Sequence, residues 1–217
     1  MLIVDRPVYI LRVMEHDNCD PASRPSTRDR LITVTCELLE FQGYHATGLN
    51  EILATSESPK GSLYHHFPNG KEELTIAAIS KVGTAVLERI RDRLSPGNGP
   101  AHATVPAFIR NISMNVERSG YRTGGPITTV ALEAAASSKA LRTACAEIYR
   151  EWQLAVERAL IASGSKQSEA ESVATSIIAR IEGGIIMARC ERSRRPLDAI
   201  ADELEQDLAW RAKEKQE

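Results

Sequence analysis

The chain has 217 residues, of which 42% are hydrophobic and 5% aromatic, and its formal net charge is −2. That length allows one large domain or a small and a medium one, and the hydrophobic content is enough for a core. The balanced charge excludes a polycation, so any binding to nucleic acid has to depend on the local placement of cations, backbone N–H groups and hydroxyls. No apolar run approaches the length of a transmembrane helix, so a membrane partner is not predicted.

The cysteines and histidines do not predict a catalytic or metal site. The four cysteines lack the paired short spacing of zinc sites and redox pairs, so we expect reduced thiols in a cytoplasmic protein without metal or cofactor. The best candidate constellation is His65, His66 and Glu72, but adjacent histidines on a helix point about 100° apart and do not easily ligate one ion. Neither a Gly-rich phosphate loop nor a nucleophile elbow is present, and the protein is not expected to be an enzyme.

The start of the chain precedes an all-helical pattern. Residues 1–26 are predicted to form a flexible extension, because their second half is polar and holds two prolines. An all-α fold is predicted beyond them, since helix-favouring residues are common and apolar residues recur at helical spacing. The first helix is expected over Thr27–Gln42, with Ser26 and Asp29 resembling a capping box and Gly43 supplying the stop.

Two short helices follow in close succession. Leu49–Ala54 is predicted as the first, and a turn of about three residues separates it from a second helix that ends at Phe67. Ser58 is expected to cap the second helix, Pro59 suits its first position, and Pro68 stops it. Two helices joined by so tight a turn are typical of a helix-turn-helix, whose second helix enters the DNA major groove. An ordinary helical corner is the alternative.

The second short helix is a poor core element. Leu63 and Phe67 are four residues apart and share one face, whereas the polar side chains point outward. In contact with DNA, Lys60 would neutralise a phosphate, the backbone at Gly61 permits close approach, and Tyr64 can donate to a phosphate. The predicted DNA-binding residues are Arg28, Thr47, Pro59, Lys60, Gly61, Ser62, Tyr64, His65, His66 and Lys71.

Longer helices account for the rest of the chain. The helix from Lys71 to Leu94 leaves the short-helix unit, and a break over residues 95–100 and a glycine-rich turn over residues 120–126 follow. Apolar residues then recur at helical spacing in the segments 108–116, 127–135, 141–159, 173–188 and 197–208.

A specific set of residues runs through the short helices into the next one. It comprises Gly43-Tyr44 with Thr47, Ile52, the run Lys60-Gly61-Ser62-Leu63-Tyr64-His65-His66-Phe67, and Lys71-Glu72-Glu73-Leu74. This set resembles the TetR family of bacterial repressors, and the run up to Pro68 and the segment from Ile127 look most like its LmrA/YxaF branch. The turn departs from the family's usual Ala-Gly-Val: it reads Ser56-Glu57-Ser58, with Glu57 where a glycine often relieves a strained backbone.

The resemblance implies two domains and two further sites. A helix-turn-helix DNA-binding domain is expected over residues 27–74, and a helical ligand-binding and dimerisation domain over residues 75–217. In the family the last two helices pair across a two-fold axis, and the implied interface residues are Ile177, Ile181, Gly184, Ile185 and Leu204. The residues implied to line a pocket for a small apolar or aromatic effector are Phe108, Ile112, Val116, Ile127, Tyr149, Trp152 and Val156.

The sequence therefore predicts a transcriptional regulator, a homodimeric repressor that binds double-stranded operator DNA and is released by a small molecule. A protein of another class is the alternative: a helical protein–protein interaction module that uses residues 1–74 to bind a protein and does not bind DNA. A gel shift with DNA from upstream of the protein's own gene discriminates between the two.

Overall fold

The computed structural model describes residues 25–122 and 124–213. This part of the chain contains nine α-helices and no strand, so the predicted all-α fold is confirmed. The helices are α1 (Thr27–Ala46), α2 (Leu49–Thr55), α3 (Lys60–His66), α4 (Lys71–Arg93), α5 (Ala101–Arg118), α6 (Pro126–Ala134), α7 (Lys139–Ala162), α8 (Gln167–Glu191) and α9 (Arg195–Lys213), with a 3-10 turn at Pro96–Asn98. The predicted flexible extension over residues 1–26 lies outside the described residues except for its last two.

The chain divides into two compact units. The first comprises the described residues up to Ala85 together with Gly125–Ala146, so α6 belongs to the same unit as the short helices α2 and α3. The second comprises Val86–Gly124 and the described residues from Glu147 onward, which include α5, α8 and α9. The domain boundary predicted after residue 74 falls within α4, inside the first unit.

Helix α1 has a capped start and a broken end. The Ser26 hydroxyl accepts a hydrogen bond from the Asp29 N–H at 3.1 Å, which fixes the predicted start. Helical backbone continues beyond the predicted end at Gln42 as far as Ala46, but it is interrupted at Gly43, where φ is 83°. Glycine adopts this conformation because it has no Cβ to clash with the backbone.

Fully buried aliphatic side chains hold the short helices in the first unit. Ile52 anchors α2 and Leu63 anchors α3, and neither side chain is exposed to solvent. Burying a side chain of this size contributes about 1.5–3 kcal/mol. The core that receives them includes Leu31, Leu38, Leu39, Phe67, Leu74, Ala78, Ile79, Val82, Ile127, Val130 and Leu141.

The turn between α2 and α3 differs from the prediction in one respect. Ser58 does not cap α3: its buried hydroxyl donates to the Ser56 carbonyl oxygen at 3.1 Å, and Pro59 occupies the capping position. The prediction of Ser58 as the N-cap was therefore wrong, because the hydroxyl closes the turn instead of the helix. Glu57 has φ 50°, a left-handed conformation at the position where the family that the sequence resembles often has glycine.

Glu57→Gly is expected to raise the free energy of unfolding by about 1 kcal/mol. A left-handed residue with a side chain costs about 1–2 kcal/mol, and the greater freedom of glycine in the unfolded chain offsets part of the gain. Glu57→Ala is the matched control, because it removes the side chain but keeps the Cβ that causes the strain. Urea denaturation followed by circular dichroism measures both, and equal stability of the two variants would contradict the expectation.

In the second unit, α9 packs against both α5 and α8. Leu197, Ala201, Leu204 and Leu208 form the buried stripe of α9. At the rim, the Arg110 guanidinium of α5 donates to Asp202 at 2.7 Å and to Glu205 at 2.6 Å.

None of the helices in the described part of the chain has the length and apolar character that a membrane-spanning helix requires.

Candidate nucleic-acid interface

Helix α3 divides its side chains between the core and the surface. Leu63 is buried, as is Phe67 directly after the helix, so the predicted inward face is confirmed. Lys60, Gly61 and His65 are exposed, and the Tyr64 side chain is 46% exposed. The remaining positions of the predicted interface on this helix, Ser62 and His66, are half-buried. The helix thus presents a cation, a phenol and an imidazole on one accessible surface.

Two exposed residues of the predicted DNA-binding set flank α3. Pro59 lies exposed immediately before the helix. Arg28 of α1 is also exposed, and its guanidinium carbon lies 5.5 Å from the centroid of the Phe67 ring. A guanidinium over an aromatic face is attracted by the ring quadrupole, which holds this cation beside the end of α3.

Thr47 lies away from solvent. Its side chain is completely buried, and its hydroxyl donates to the Gly43 carbonyl oxygen at 2.6 Å. This position differs from the predicted phosphate contact, because the hydroxyl hydrogen is already used within the chain and closes the broken end of α1.

Lys71, at the start of α4, is also engaged within the first unit. Its ammonium group donates to the Tyr44 carbonyl oxygen at 2.6 Å and lies 4.2 Å from the centroid of the Tyr44 ring. Burial lowers the pKa of Lys71 from its ordinary value, while the neighbouring Glu133 carboxylate raises it. A phosphate would therefore have to share this cation with the end of α1, and the predicted phosphate contact stays a prediction.

The candidate effector residues fall in both units. Phe108, Val116, Trp152 and Val156 are buried, and Ile112 and Tyr149 are half-buried, all in the second unit. The Tyr149 and Trp152 rings lie 5.4 Å apart between centroids and are perpendicular, a favourable edge-to-face arrangement. Ile127 is buried in the first unit.

The five residues predicted for the dimer interface are buried within a single chain. Ile177, Ile181, Ile185 and Leu204 are buried side chains, and a Cβ at Gly184 would meet Leu197 and Ile200 of α9. These residues therefore pack within their own chain, and the dimer interface predicted at them stays a prediction.

Sequence reasoning missed two features. Ile186 and Met187 on α8 are 45% and 52% exposed, although they belong to the same apolar stretch as the buried isoleucines. Glu133 of α6 accepts a hydrogen bond from the backbone N–H of His45, 88 positions earlier in the chain. The exposed pair could have been found from the extra apolar width of α8, whereas no local pattern indicates the Glu133 contact.

Among the described residues, no group of three or more His, Cys, Asp and Glu side chains is placed to hold a metal ion. The buried Cys36 thiol contacts the Ala78 carbonyl oxygen at 3.3 Å, and burial raises its pKa to about 12. At neutral pH this thiol is protonated, so it is unsuited to nucleophilic chemistry.

An all-helical chain in which a short helix follows another behind a tight turn and exposes one of its faces is typical of helix-turn-helix DNA-binding proteins. Residues 31–78 match the model of the bacterial regulatory proteins of the tetR family, and residues 101–203 match that of the LmrA/YxaF-like transcriptional regulator C-terminal domain. The chain belongs to the TetR family of transcriptional regulators. Members of this family bind operator DNA as dimers and respond to small-molecule effectors.

Individual relatives agree with this assignment. The uncharacterized HTH-type regulator YxaF of Bacillus subtilis is 36% identical over 182 residues, which cover 84% of this chain and 95% of YxaF. The regulator LmrA of the same organism is 35% identical over 171 residues, covering 79% and 90%. A crystal structure of a TetR regulatory protein from Rhodobacter sphaeroides has the same fold, with a TM-score of 0.75 at 24% identity over 83% of this chain and 97% of that one. These matches do not favour the alternative of an interaction module without DNA binding.

Lys60→Ala is expected to weaken binding to DNA and to flatten its salt dependence. Each phosphate neutralised contributes about 0.9 to the slope of log K against log salt, so the slope should fall by about that amount per subunit. Fluorescence anisotropy with labelled DNA at several salt concentrations measures it. Lys139→Ala, which removes an exposed cation at the start of α7, is the control that should keep the wild-type slope. An unchanged slope in Lys60→Ala would exclude this lysine from the interface.

Proposed function

We propose that the protein is a homodimeric repressor that leaves its operator when a small apolar or aromatic molecule binds the second unit. The observation that carries the DNA contact is the division of α3, which is anchored by Leu63 and exposes Lys60, Tyr64 and His65. A helix inserted in the major groove by such groups binds phosphates and base edges together. A dimer bound across a promoter in this way would hinder transcription from that promoter.

The homodimer in this proposal uses the exposed side of α8. Gly183, Ile186 and Met187 are spaced three and four residues apart, so they share one face of the helix. A Cβ built at Gly183 meets no atom within 4 Å, and the two side chains next to it are about half exposed. A second copy would cover these apolar side chains, and the absent side chain at Gly183 would let its backbone approach closely. DNA with two half-sites also requires two copies of α3.

The effector proposal rests on the chemistry of the second-unit candidates. Phe108, Val116, Trp152 and Val156 offer aliphatic and aromatic surface, and Tyr149 adds a half-buried hydroxyl-bearing ring. Sites of this composition favour ligands that bury apolar area and use few polar contacts. Because ligand and DNA would favour different conformations, each must weaken the binding of the other by the same factor.

The test uses the full-length protein and DNA selected by it from a random pool. In Trp210→Phe, Trp152 is the only remaining tryptophan, so its fluorescence reports binding near the candidate site. A panel of small aromatic molecules, each paired with a polar analogue of equal size, is screened for quenching and then for loss of DNA affinity. We expect an apolar member to quench Trp152 and to lower DNA affinity in the same concentration range, and to restore transcription from a promoter carrying the selected DNA.

Two results would contradict parts of this proposal separately. A ligand that lowers DNA affinity without changing the fluorescence of Trp152 would place the effector elsewhere. A protein that activates the promoter when bound would exclude repression, while leaving DNA binding itself intact.

A further inference from the structure

One peptide group in the first unit is held at both ends by side chains of opposite charge. The Tyr44 carbonyl oxygen accepts from the Lys71 ammonium of α4 at 2.6 Å, and the His45 N–H of the same peptide group donates to the Glu133 carboxylate of α6 at 2.8 Å. The His45 ring adds a second link, since its Nε2 lies 3.0 Å from the Glu133 carbonyl oxygen. The peptide dipole thus lies between a cation at its oxygen and an anion at its N–H, the favourable arrangement for both charges.

The break in α1 makes this arrangement possible. The interruption at Gly43 directly precedes the clamped peptide, whose N–H is bound by Glu133. A Cβ at position 43 would overlap the Glu133 carboxylate, so the absent side chain also makes room for it. The position therefore combines a backbone conformation that favours glycine with a close approach that requires it.

The clamped peptide lies where the helix-turn-helix is attached. Three residues separate it from Leu49, where α2 begins. Lys71, which holds its carbonyl end, is the first residue of α4, the next helix after α3. Gln42 extends the same junction, since its side-chain amide donates to the Ala46 carbonyl oxygen at 3.2 Å and to Glu51 of α2 at 2.7 Å. The contacts at the clamped peptide therefore fix the chain before α2 and after α3.

We infer that Glu133 is a positioning residue for DNA binding, which acts from α6 through the Tyr44–His45 peptide and sets the orientation of α2 and α3. It does not touch DNA in this role. The inference rests on DNA binding by α3 but not on release by an effector, so failure to find an effector would leave it standing.

The direction of the change in DNA affinity distinguishes a positioning role of Glu133 from a purely electrostatic effect of its charge. Removing an acidic side chain from a DNA-binding unit reduces repulsion of the phosphates and by itself raises affinity. Glu133→Ala is instead expected to lower the affinity for DNA selected by the wild-type protein by about fivefold, less than the loss of a direct hydrogen bond to a charged group would give, because Glu133 acts on DNA only through the orientation of α2 and α3. The salt slope should stay at the wild-type value, because no phosphate contact is lost. Hydrogen exchange at the His45 amide should become faster.

Two further variants, together with thermal unfolding, distinguish the positioning role of Glu133 from misfolding of the protein. Glu133→Gln keeps an acceptor oxygen for the His45 N–H but loses the charge, so it should show a smaller loss of affinity than Glu133→Ala. Gly43→Ala keeps the charge of Glu133 but displaces its carboxylate, and it should lower affinity as well. Thermal unfolding establishes that each variant is folded at the assay temperature.

Glu73→Ala is the matched control. Glu73 also accepts a backbone N–H in the first unit, that of Asn69 at 2.9 Å, but it does not belong to the clamped peptide. Its removal should keep DNA affinity or raise it. If folded Glu133→Ala and Gly43→Ala proteins bind the selected DNA as tightly as the wild type or more tightly, the positioning role of Glu133 is overturned.

Discussion

Gly184→Leu is expected to destabilise the second unit by about 3 kcal/mol, the upper part of the range for overpacking a core. A Cβ at this position would lie 2.8 Å from Cδ1 of Ile200 and 2.8 Å from Cδ2 of Leu197, closer than carbon atoms approach. The leucine would therefore push α9 away from α8 and open the core between them.

Gly183→Leu is the matched partner of this variant. Its added side chain meets no atom within 4 Å of the Cβ, so the single chain should stay folded, and replacing glycine within a helix favours the fold by up to about 1 kcal/mol. On the proposed dimer face, however, the leucine would hold the second copy at a distance, and we expect the protein to become monomeric.

Urea denaturation and sedimentation velocity distinguish the two glycines. The expected pattern is a destabilised Gly184→Leu protein and a folded, monomeric Gly183→Leu protein. Denaturation curves for a dimer must be compared at equal protein concentration, because association contributes to stability. A Gly183→Leu protein that sediments as the wild-type dimer would place the interface on another face.

Phe67→Ala is expected to destabilise the first unit by about 3–5 kcal/mol, because it empties the site of a large buried side chain. Phe67 is only 2% exposed and directly follows α3. The loss of its contacts would release α3 from the core, and DNA binding would be lost together with the fold.

Tyr64→Ala separates DNA affinity from stability. Tyr64 lies on the exposed side of α3, so its removal should change the free energy of unfolding by less than about 1 kcal/mol. Losing a hydroxyl that donates to a phosphate should weaken DNA binding about tenfold, since hydrogen bonds to charged groups contribute about 1.5–3 kcal/mol. Circular dichroism and fluorescence anisotropy give the two quantities. A Tyr64→Ala protein that is folded and binds DNA normally would show that this side chain does not contact the phosphate.

Local sequence patterns were sufficient to predict the helices and the buried face of α3 in the candidate interface. The positions of Leu63 and Phe67, four apart and followed by Pro68, determine which face of α3 is inward, and the structure confirms that face. The apolar stripe of α4 was equally clear, since Leu74, Ala78 and Val82 are all buried. Such patterns work because the helical repeat alone decides which side chains lie together.

The structure differs from the sequence predictions where a polar side chain has more than one possible hydrogen-bond partner. Ser58 was expected to cap α3 and instead closes the turn, and Thr47 was expected at a phosphate and instead binds the Gly43 carbonyl. In both cases a nearby backbone carbonyl oxygen competes with the predicted partner for the hydroxyl, and the packing around the side chain determines which hydrogen bond forms.

The sequence by itself determined that this protein is an all-helical regulator with a DNA-reading helix after a tight turn, because periodicity, prolines and the family's residues are local features. Only the tertiary structure decided which apolar residues of α8 face their own chain and which face outward, since both sets have the same composition. It likewise decided that Lys71 and Glu133 meet at one peptide group. Charges so far apart along the chain are brought together by the packing of α1, α4 and α6, and no local propensity encodes that proximity.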